Sequence, residues 1–391
     1  MEEFDAVVVG GGIAGAAAGW ALAATRRVLL LERESQPGYP TTGRSAALMP
    51  PFYGNAIVRR LNLAGAEFYR APPAGFAEHP VLTPRGALYI GRAEQGPLVD
   101  REVANARALG GVAERLETAG AVALVPPLNP EAAVHAWLDP AAADMDVAAI
   151  LMGFLRLFRQ RGGVVRTDAE VLGLVPEGRG WRLETRNGAV ATAVVVDAAG
   201  ARADSVAGLA SLAPLGIRPL RRTAILIEPP AGSDSRRWPA VADLDDSFYF
   251  KPDAGKLMCS PADETPSEPM DAWPDELDIA ICVERVQAAL DIEVRRIDHA
   301  WAGLRCFAPD RTPVVGFDPR VAGFFWLAGQ GGYGIMTAPV LGAVAAHLLA
   351  GTALPATLER AGFDPTALSP ARLLGASAGT SGDGPARSQE A

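Results

Sequence analysis

Three glycines near the start of the chain, Gly10, Gly12 and Gly15, have the G-x-G-x-x-G spacing that binds the pyrophosphate of a dinucleotide. The first allows a tight turn, the second lets phosphates approach the backbone, and the third lets the following helix pack closely. Backbone N–H groups at the start of that helix, together with its dipole, favour negative charge. Glycine-rich turns in other α/β proteins can share this spacing, so the neighbouring elements must be considered as well.

A carboxylate at Glu32 lies at the distance from the glycines at which a ribose is bound. The β-branched run at 7–9 predicts a buried strand, 13–24 predicts a helix, and 28–31 predicts a second strand that ends at Glu32. The carboxylate would accept hydrogen bonds from ribose hydroxyls and repel a 2′-phosphate. This order of elements favours a site for FAD or NAD over one for NADP.

Two arginines, Arg222 and Arg305, occur in otherwise apolar segments with strand-like alternation, at 218–228 and 300–307. A guanidinium offers paired donors that match a carboxylate, and a solitary charge among apolar residues is costly without an anionic partner. We predict that the two side chains clamp the carboxylate of a small substrate. Salt bridges to acidic residues of the protein itself are the alternative.

Three further segments are suited to a long cofactor. The polar and then small stretch at 41–47 could lie along a flat ring, and the apolar strand at 194–196 leads into small residues up to Gly200. Residues 324–328 predict a buried strand that runs into a second glycine-rich junction at 329–335 and a helix to His347. The dipole at that junction could stabilise partial negative charge.

The net charge of −9 over 391 residues argues against a nucleic-acid-binding protein. The three cysteines and four histidines show no metal-binding spacing, so we expect no metal and reduced thiols in a cytoplasmic protein. The first residues lack the basic start of a signal peptide. No run of eighteen apolar residues predicts a transmembrane segment, although peripheral contact with a membrane stays open.

Taken together and in order, GGGIAG, Glu32, TTGRSAA, VVVDAAG, WAGLR and GQGGYGI resemble the FAD-dependent D-amino acid oxidase and dehydrogenase family. Within it, the bacterial D-arginine dehydrogenases are the most similar group. The resemblance implies an α/β fold with two domains. One is a Rossmann-like FAD-binding domain of three-layer ββα architecture, formed by 1–50, 145–215 and 308–373. The other is an α+β substrate domain on an antiparallel sheet, formed by 51–144 and 216–307. A disordered tail is expected at 375–391.

The resemblance also implies FAD bound without a covalent link. The residues it assigns to the cofactor are Gly10, Gly12, Ile13, Ala14, Gly15, Glu32, Arg33, Thr42, Gly43, Ser45, Ala46, Ala47, Val171, Ala199, Gly200, Gly331, Gly332, Tyr333, Gly334 and Ile335. A thioether to Cys306, next to Arg305, is not expected because the spacing of known covalent attachments differs.

The implied reaction removes two electrons from the Cα–N bond of a D-amino acid. A hydride passes to flavin N5, the imino acid hydrolyses to a 2-oxo acid and ammonia, and oxygen or a quinone reoxidises the flavin. Tyr53 and Tyr249 match positions that contact the carboxylate or close the pocket, and the carbonyl of Gly332 matches an acceptor for the amine. No side-chain base is required if the amine is neutral.

Relatives that act on basic substrates have an acidic residue where this chain has Ala87, and a histidine where it has Leu48. A cationic side chain would lack a partner here, and Met49, Phe52 and Met336 suggest an apolar pocket. We therefore expect neutral, hydrophobic D-amino acids. Three alternatives remain: a secondary-amine oxidase acting on sarcosine or glycine, a flavin-binding module without catalysis, and an NAD-dependent dehydrogenase.

Overall fold

The computed structural model describes residues 1–354 and 364–374, together with the single residues 358 and 362. The predicted tail at 375–391 and part of the segment 355–363 lie outside the described residues. The strands, in chain order, are β1 (Glu2–Val9), β2 (Val28–Leu31), β3 (Leu48–Met49), β4 (Leu82–Pro84), β5 (Ala87–Gly91), β6 (Glu114–Glu117), β7 (His135–Asp139), β8 (Ala143–Met145), β9 (Val164–Arg166), β10 (Val171–Glu177), β11 (Gly180–Thr185), β12 (Gly188–Asp197), β13 (Arg218–Ile227), β14 (Ala240–Asp243), β15 (Tyr249–Asp253), β16 (Lys256–Ser260), β17 (Thr265–Pro266), β18 (His299–Phe307), β19 (Val314–Phe317), β20 (Phe324–Ala328) and β21 (Gln330–Gly331).

One helix begins within the predicted cofactor motif, and several others form connections between strands. None of the helices in the described ranges is both long and apolar enough to cross a bilayer. In chain order they are α1 (Ile13–Leu22), α2 (Ala56–Arg70), α3 (Gly96–Ala108), α4 (Thr118–Leu124), α5 (Val147–Gln160), α6 (Ala203–Leu209), α7 (Glu276–Ala289), α8 (Gly334–Ala350) and α9 (Ala371–Leu374).

The first large sheet has eight strands and contains the predicted dinucleotide motif. Its continuous order is β10-β11-β12-β1-β2-β9, and β9, β2, β1 and β12 run parallel. The last residues of β12 pair with β20, while its first half pairs with β11 in the hairpin that Asn187-Gly188 predicts. Because the parallel strands are apolar on both faces, they must be covered on both sides.

Helices cover one face of this sheet and strands the other, which gives three layers. On one side α1, α5 and α8 pack together around residues such as Val8, Leu30 and Phe154. On the other side Val7 and Leu29 share a core with Trp181 of the β10–β11 hairpin. The second sheet also contributes to that core through Ala302, Leu304 and Cys306 of β18. The predicted α/β class with a ββα arrangement is confirmed.

The second large sheet has ten strands in the order β21-β18-β13-β16-β15-β14-β5-β7-β6, with β17 beside β13. Most neighbours are antiparallel, as the alternation predicts, but β14 and β5 pair in parallel. The short strand β21, from the second glycine-rich junction, pairs with β18 through Gly331 and Cys306. The junction therefore joins the two sheets. A small third sheet, β3-β8-β4, lies beside them.

Candidate active site

One cavity brings together the glycine-rich junctions of the first sheet and the polar strands of the second. Its walls are mostly apolar, with a few charged groups, as is usual for a ligand site. The lining residues that the sequence predicted are Ile13, Thr42, Ser45, Ala46, Ala47, Leu48, Tyr53, Ala87, Arg222, Tyr249, Arg305, Gly331, Gly332, Gly334, Ile335 and Met336. The remaining predicted cofactor residues are not part of the cavity lining. Several of them directly follow the carboxyl ends of the parallel strands β1, β2 and β12.

The first glycine-rich turn is packed so tightly that side chains do not fit at two of its positions. Gly10 has φ +109°, and a Cβ there would lie 2.4 Å from the carbonyl oxygen of Ala198. A Cβ at Gly15 would lie 1.9 Å from the carbonyl oxygen of Gly10. Gly12 is the N-cap of α1 without a side-chain cap. The backbone N–H groups at the start of α1 therefore stay close to the strand ends, where a pyrophosphate is bound in dinucleotide folds.

Two polar side chains contact this turn. The carboxylate of Glu32, which is buried, accepts hydrogen bonds from the backbone N–H of Gly11 at 2.8 Å and of Glu34 at 2.9 Å. Burial raises the pKa of Glu32, and these hydrogen bonds oppose the rise. The hydroxyl of Thr42 accepts from the backbone N–H of Ile13 at 3.1 Å. Each carboxylate oxygen has a further lone pair, so Glu32 can still accept from a ribose.

The other predicted residues of the adenosine end lie near Glu32. Arg33 forms salt bridges with Glu34 at 3.1 Å and Glu170 at 3.6 Å, and Val171 follows as the first residue of β10. Ala199 and Gly200 come directly after β12, next to the turn at Gly10. These small residues leave room beside the turn. Ala14 continues α1, and Gly43 lies in the short turn at Thr42–Arg44.

The second glycine-rich junction packs against the substrate strands. Gly331 has φ +53°, and a Cβ there would lie 2.3 Å from the ring of Phe307. A Cβ at Gly332 would lie 2.8 Å from Nη1 of Arg305, so the guanidinium lies on the glycine backbone. The hydroxyl of Tyr333 donates to the carbonyl oxygen of Arg311 at 3.2 Å, and α8 begins at Gly334. The junction therefore contacts and positions Arg305, a candidate substrate-binding residue.

Arg222 and Arg305 face the cavity from adjacent antiparallel strands. Arg222 pairs with Gly303 and Arg305 pairs with Leu220, so the two arginines are diagonal neighbours on one face. Diagonal side chains of this length can reach the same small ligand. The structure therefore brings together the two residues that the sequence predicted as a clamp.

The two guanidinium groups differ in what holds them. Arg305 donates to the hydroxyl of Tyr249 at 3.4 Å and has no carboxylate within salt-bridge distance among the described residues. Nε of Arg222 donates to the carbonyl oxygen of Asp263 at 2.8 Å, and Nη2 donates to Glu264 at 3.3 Å. The predicted alternative, a salt bridge within the protein, therefore applies in part to Arg222. Arg305 remains available to an anionic ligand.

Glu264 is a residue that sequence reasoning missed. The segment 261–278 reads as a solvated loop, because it is rich in Pro, Asp and Glu. Glu264 is exposed, as that reading expects, but it also forms a bidentate salt bridge to Arg311 at 2.7 and 3.0 Å in addition to its bond to Arg222. The signal that could have found it is the need of the solitary Arg222 for an anion, but composition cannot say which acidic residue meets that need.

Asp246 was also missed. It lies in the turn between β14 and β15 with φ +52°, and its side chain lines the cavity. Its surface is exposed to the cavity, although protein surrounds it on most sides. Burial raises the pKa of Asp246, and the positive charges of Arg222 and Arg305 oppose that rise. The sequence signals only a polar turn at this position.

The remaining predicted pocket residues have mixed outcomes. Tyr53 lines the cavity with its ring centre 5.8 Å from that of Tyr333, and burial raises its pKa. Leu48, Ala87 and Met336 also line the cavity, and Ala87 and Met336 are buried. Met49 and Phe52, which suggested an apolar pocket, do not line it. Both are buried elsewhere, Met49 against the helices and Phe52 against α3.

Cys306 faces away from the cavity. It follows Arg305 on β18, so its side chain points to the opposite face of the sheet. There it packs, together with Leu304, in the core between the sheets. Burial raises the pKa of the thiol to about 12. The thiol is therefore both protonated and turned away from the space where a flavin would lie.

Comparison with known proteins matches one family along most of the chain. The family described as FAD dependent oxidoreductase matches residues 5–348. Glycine oxidase from Geobacillus kaustophilus is 23% identical over 363 residues, which cover 89% of this chain and 93% of that protein. The bovine FAD-dependent oxidoreductase domain-containing protein 1 is 26% identical over 409 residues, covering 89% of this chain and 81% of that protein.

Solved structures show the same fold. The crystal structure of glycine oxidase from Geobacillus kaustophilus superposes with a TM-score of 0.82 at 21% identity, covering 94% of this chain and 98% of that one. L-proline dehydrogenase from P. horikoshii superposes with a TM-score of 0.81 at 21% identity, covering 90% of this chain and 96% of that one. Both matches cover at least 90% of this chain, so the fold is shared along nearly its whole length.

Proposed function

The chain belongs to the FAD dependent oxidoreductase family, and we propose that it oxidises the amine of a small amino acid, with neutral D-amino acids as the preferred class. Its cofactor is FAD, which removes the NAD-dependent alternative. The observation that carries the proposal is the pair Arg222 and Arg305 on one face of the β13–β18 pair, lining the same cavity as the junction at Gly331–Gly332. That arrangement suits an amino-acid carboxylate next to a flavin.

The residues present fit FAD along its whole length. The turn at Gly10–Gly15 leaves the start of α1 open to the pyrophosphate, and the free lone pairs of Glu32 suit the ribose. The small residues Ser45, Ala46 and Ala47 and the backbone of Gly331–Ile335 suit the ring system. When bound, the flavin supplies the two-electron acceptor for the hydride of the substrate Cα. The N-terminus of α8 favours negative charge near Gly334.

The protein's own part in the reaction is to bind, orient and desolvate the substrate. Arg305 binds the carboxylate with paired donors, and Arg222 contributes the N–H donors that Asp263 and Glu264 leave free. The hydroxyls of Tyr249 and Tyr53 lie beside that carboxylate. Fixing the carboxylate restricts the position of Cα, which lowers the entropic part of the barrier.

The neutral amine is the form that can lose a hydride from Cα. In this proposal the backbone carbonyl of Gly332, which lines the cavity, accepts a hydrogen bond from the amine, as the family resemblance implies. The largely apolar walls disfavour the ammonium form. The substrate loses its two electrons and two protons as a hydride from Cα, for which FAD would be the acceptor, and a proton from the amine. Water then hydrolyses the imino acid to a 2-oxo acid and ammonia without a further change of oxidation state.

The preference for neutral side chains rests on the apolar residues that line the cavity. Ala87, Leu48 and Met336 line it, together with Ala224 and Met145. A guanidinium or ammonium placed against these apolar residues would lose its hydration without gaining a counter-ion there. The unpaired carboxylate among the described lining residues, Asp246, lies where the cavity meets an outer depression of the surface. Neutral aliphatic, thioether or aromatic side chains carry no such cost.

The experiment that tests the proposal is anaerobic bleaching of the FAD-loaded protein by a panel of D- and L-amino acids. We expect D-Met, D-Leu and D-Phe to reduce the flavin faster than D-Arg and D-Lys by at least about tenfold, given the cost of an unpaired charge. D-Arg or D-Lys far ahead of the neutral substrates would overturn the preference. A flavin that no amine bleaches would instead support the binding module without catalysis.

A second candidate, oxidation of glycine or an N-methylated amine such as sarcosine, is favoured by the similarity to glycine oxidase. It would use the same carboxylate clamp but would need little space for a side chain. Including sarcosine, glycine and L-proline in the bleaching panel separates the two candidates. Reoxidation of the bleached protein by oxygen or by a soluble quinone then identifies the electron acceptor.

We propose a cytoplasmic location, in keeping with three free, buried cysteines.

A further inference from the structure

Asp246 is a carboxylate in the cavity wall that forms no hydrogen bond or salt bridge through its side chain within the described part of the chain. It lines the cavity and also an outer depression formed by 245–247 and 261–266. It therefore lies between the surface and the substrate space. An ionised carboxylate in this position must influence every charged ligand that enters.

The other acidic residues of the outer depression already have partners of their own. Asp278 pairs with Arg221 at 2.8 Å, and Glu264 pairs with Arg311. Asp263 accepts a hydrogen bond from the backbone N–H of Thr223 at 2.7 Å. Asp245 pairs at 2.6 Å with Arg92, which lies outside the depression. Asp246 alone among these residues presents its charge to the cavity.

The turn does not need the Asp246 side chain for its shape. Asp243 holds it, because its carboxylate accepts from the backbone N–H of Ser247 at 2.6 Å and of Phe248 at 3.1 Å. The left-handed backbone of Asp246 is one that Asn adopts as readily as Asp. Removing only the charge should therefore leave the turn intact.

We propose that Asp246 is a specificity-determining residue that excludes ligands with a second carboxylate and so restricts the site to monocarboxylate amines. This inference rests on the proposed function, since it concerns the same cavity. Arg305 and Arg222 satisfy one carboxylate, and Arg222 already shares its charge with Glu264. Among the described residues of the cavity wall, a second carboxylate would find the unpaired charge of Asp246, and the other lining cation, Arg44, is already paired with Asp271. Discrimination of this kind arises from repulsion as well as attraction.

The substitution Asp246→Asn tests the proposal in the FAD-loaded protein. Two unit charges about 10 Å apart at an effective dielectric constant near 20 change affinity by roughly tenfold. We therefore expect the ratio of kcat/KM for D-Glu to that for D-Met to rise about tenfold. The matched control is Asp245→Asn, which removes the same charge from the next residue, where it pairs with Arg92 outside the cavity. That ratio should change less than twofold in the control.

A second measurement does not require turnover. Benzoate and phthalate carry one and two carboxylates, and their binding can be followed through the absorbance of the bound flavin. We expect Asp246→Asn to strengthen phthalate binding about tenfold relative to benzoate, by the same charge argument. An unchanged ratio, an equal change in Asp245→Asn, or no binding of either ligand to the wild type overturns the inference. If no amine is oxidised but the binding ratio shifts, the proposed function fails while the role of Asp246 stands.

Discussion

The two arginines of the cavity have the same chemistry but different surroundings. Arg305 is held by the tyrosine hydroxyl of Tyr249 and lies on the backbone of Gly332, whereas Arg222 already donates to Asp263 and Glu264. A group without an anionic partner gains more from a carboxylate ligand than one that already has a partner. Arg305 should therefore contribute more to substrate binding.

Replacing each arginine by lysine tests that order. Lysine keeps the charge but loses the paired donors, so we expect Arg305→Lys to raise KM for the best amino acid about 30- to 100-fold. Arg222→Lys should raise it less than about tenfold, because two of its donors bind the protein itself. Steady-state kinetics with the FAD content measured in parallel provides the comparison. The control is Arg218→Lys, an exposed position on the same strand, and a larger effect at Arg222 than at Arg305 would contradict the assignment.

At the scale of elements, the cofactor turn depends on the close approach of α1 to the end of β1. The approach occurs at Gly15, where any side chain would meet the carbonyl oxygen of Gly10. Both groups belong to backbone of buried elements, so neither can move without shifting the helix. The first glycine-rich junction is therefore the part of the fold that tolerates least change.

Gly15→Ala should displace α1 and weaken FAD binding. We expect a loss of about 1–3 kcal/mol in the free energy of unfolding, the usual cost of overpacking, together with less FAD per protein chain. Thermal unfolding and the flavin-to-protein absorbance ratio measure both. Gly208→Ala in α6 is the matched control, because no atom lies within 4 Å of its added Cβ. That variant should be neutral or more stable by up to about 1 kcal/mol, and equal losses in both variants would argue against a steric cause.

A buried acid at the end of β7 makes the stability of the second sheet depend on pH. Asp139 is fully buried; one carboxylate oxygen accepts from the backbone N–H of Ala141 at 2.9 Å, and the other has no partner among the described residues. Burial raises the pKa of Asp139 to about 6. Ionisation above that pH therefore opposes folding, since the unfolded pKa is near 3.9.

Asp139→Asn removes this titration. As the pH falls from 7 to 5 the native carboxyl takes up its proton before the unfolded one, so the wild type should gain about 1 kcal/mol relative to the variant. Urea unfolding of both proteins at the two pH values measures the difference, and all other titrating groups cancel in the comparison. Unfolding free energies that change in parallel would show that Asp139 is ionised in the native state at both pH values.

At the scale of the whole molecule, the cavity lies where the two sheets contact each other. Strand β21 pairs with β18. A second contact comes from Arg44, within the cofactor segment 41–47, which donates to the carbonyl oxygens of Ala302 at 2.9 Å and Ala272 at 2.8 Å. We propose the division into an FAD-binding and a substrate domain on this basis, with the junction at 329–335 shared by both.

The positions of the cysteines predict that the flavin is bound without a covalent link. The three cysteines, Cys259, Cys282 and Cys306, are buried, and the one nearest the clamp points into the core between the sheets. We therefore expect acid precipitation to release all flavin into the supernatant. Absorbance of the supernatant and of the redissolved pellet measures the outcome, and yellow colour that stays with the pellet would indicate a covalent link.

The sequence by itself determined the elements and the chemistry that depend on short spacing. The glycine pattern at 10–15, the acid at Glu32 and the alternation around Arg222 and Arg305 each follow from steric or periodic rules that act within a few residues. These rules predicted the cofactor turn and the two strands of the clamp. The family resemblance supplied the rest: it implied the ββα layers, and the departures from its pattern at Ala87 and Leu48 identified two residues of the cavity wall.

Only the tertiary structure decided which side chains share the cavity. The diagonal position of the arginines depends on the register between β13 and β18, and the contacts of Glu264 join residues about forty positions apart. Met49 and Phe52 point away for the same reason, because the packing of α2, α3 and α5 selects the face each presents. An acidic loop looks equally solvated wherever it lies along the chain, so sequence could not distinguish the paired Glu264 from the unpaired Asp246.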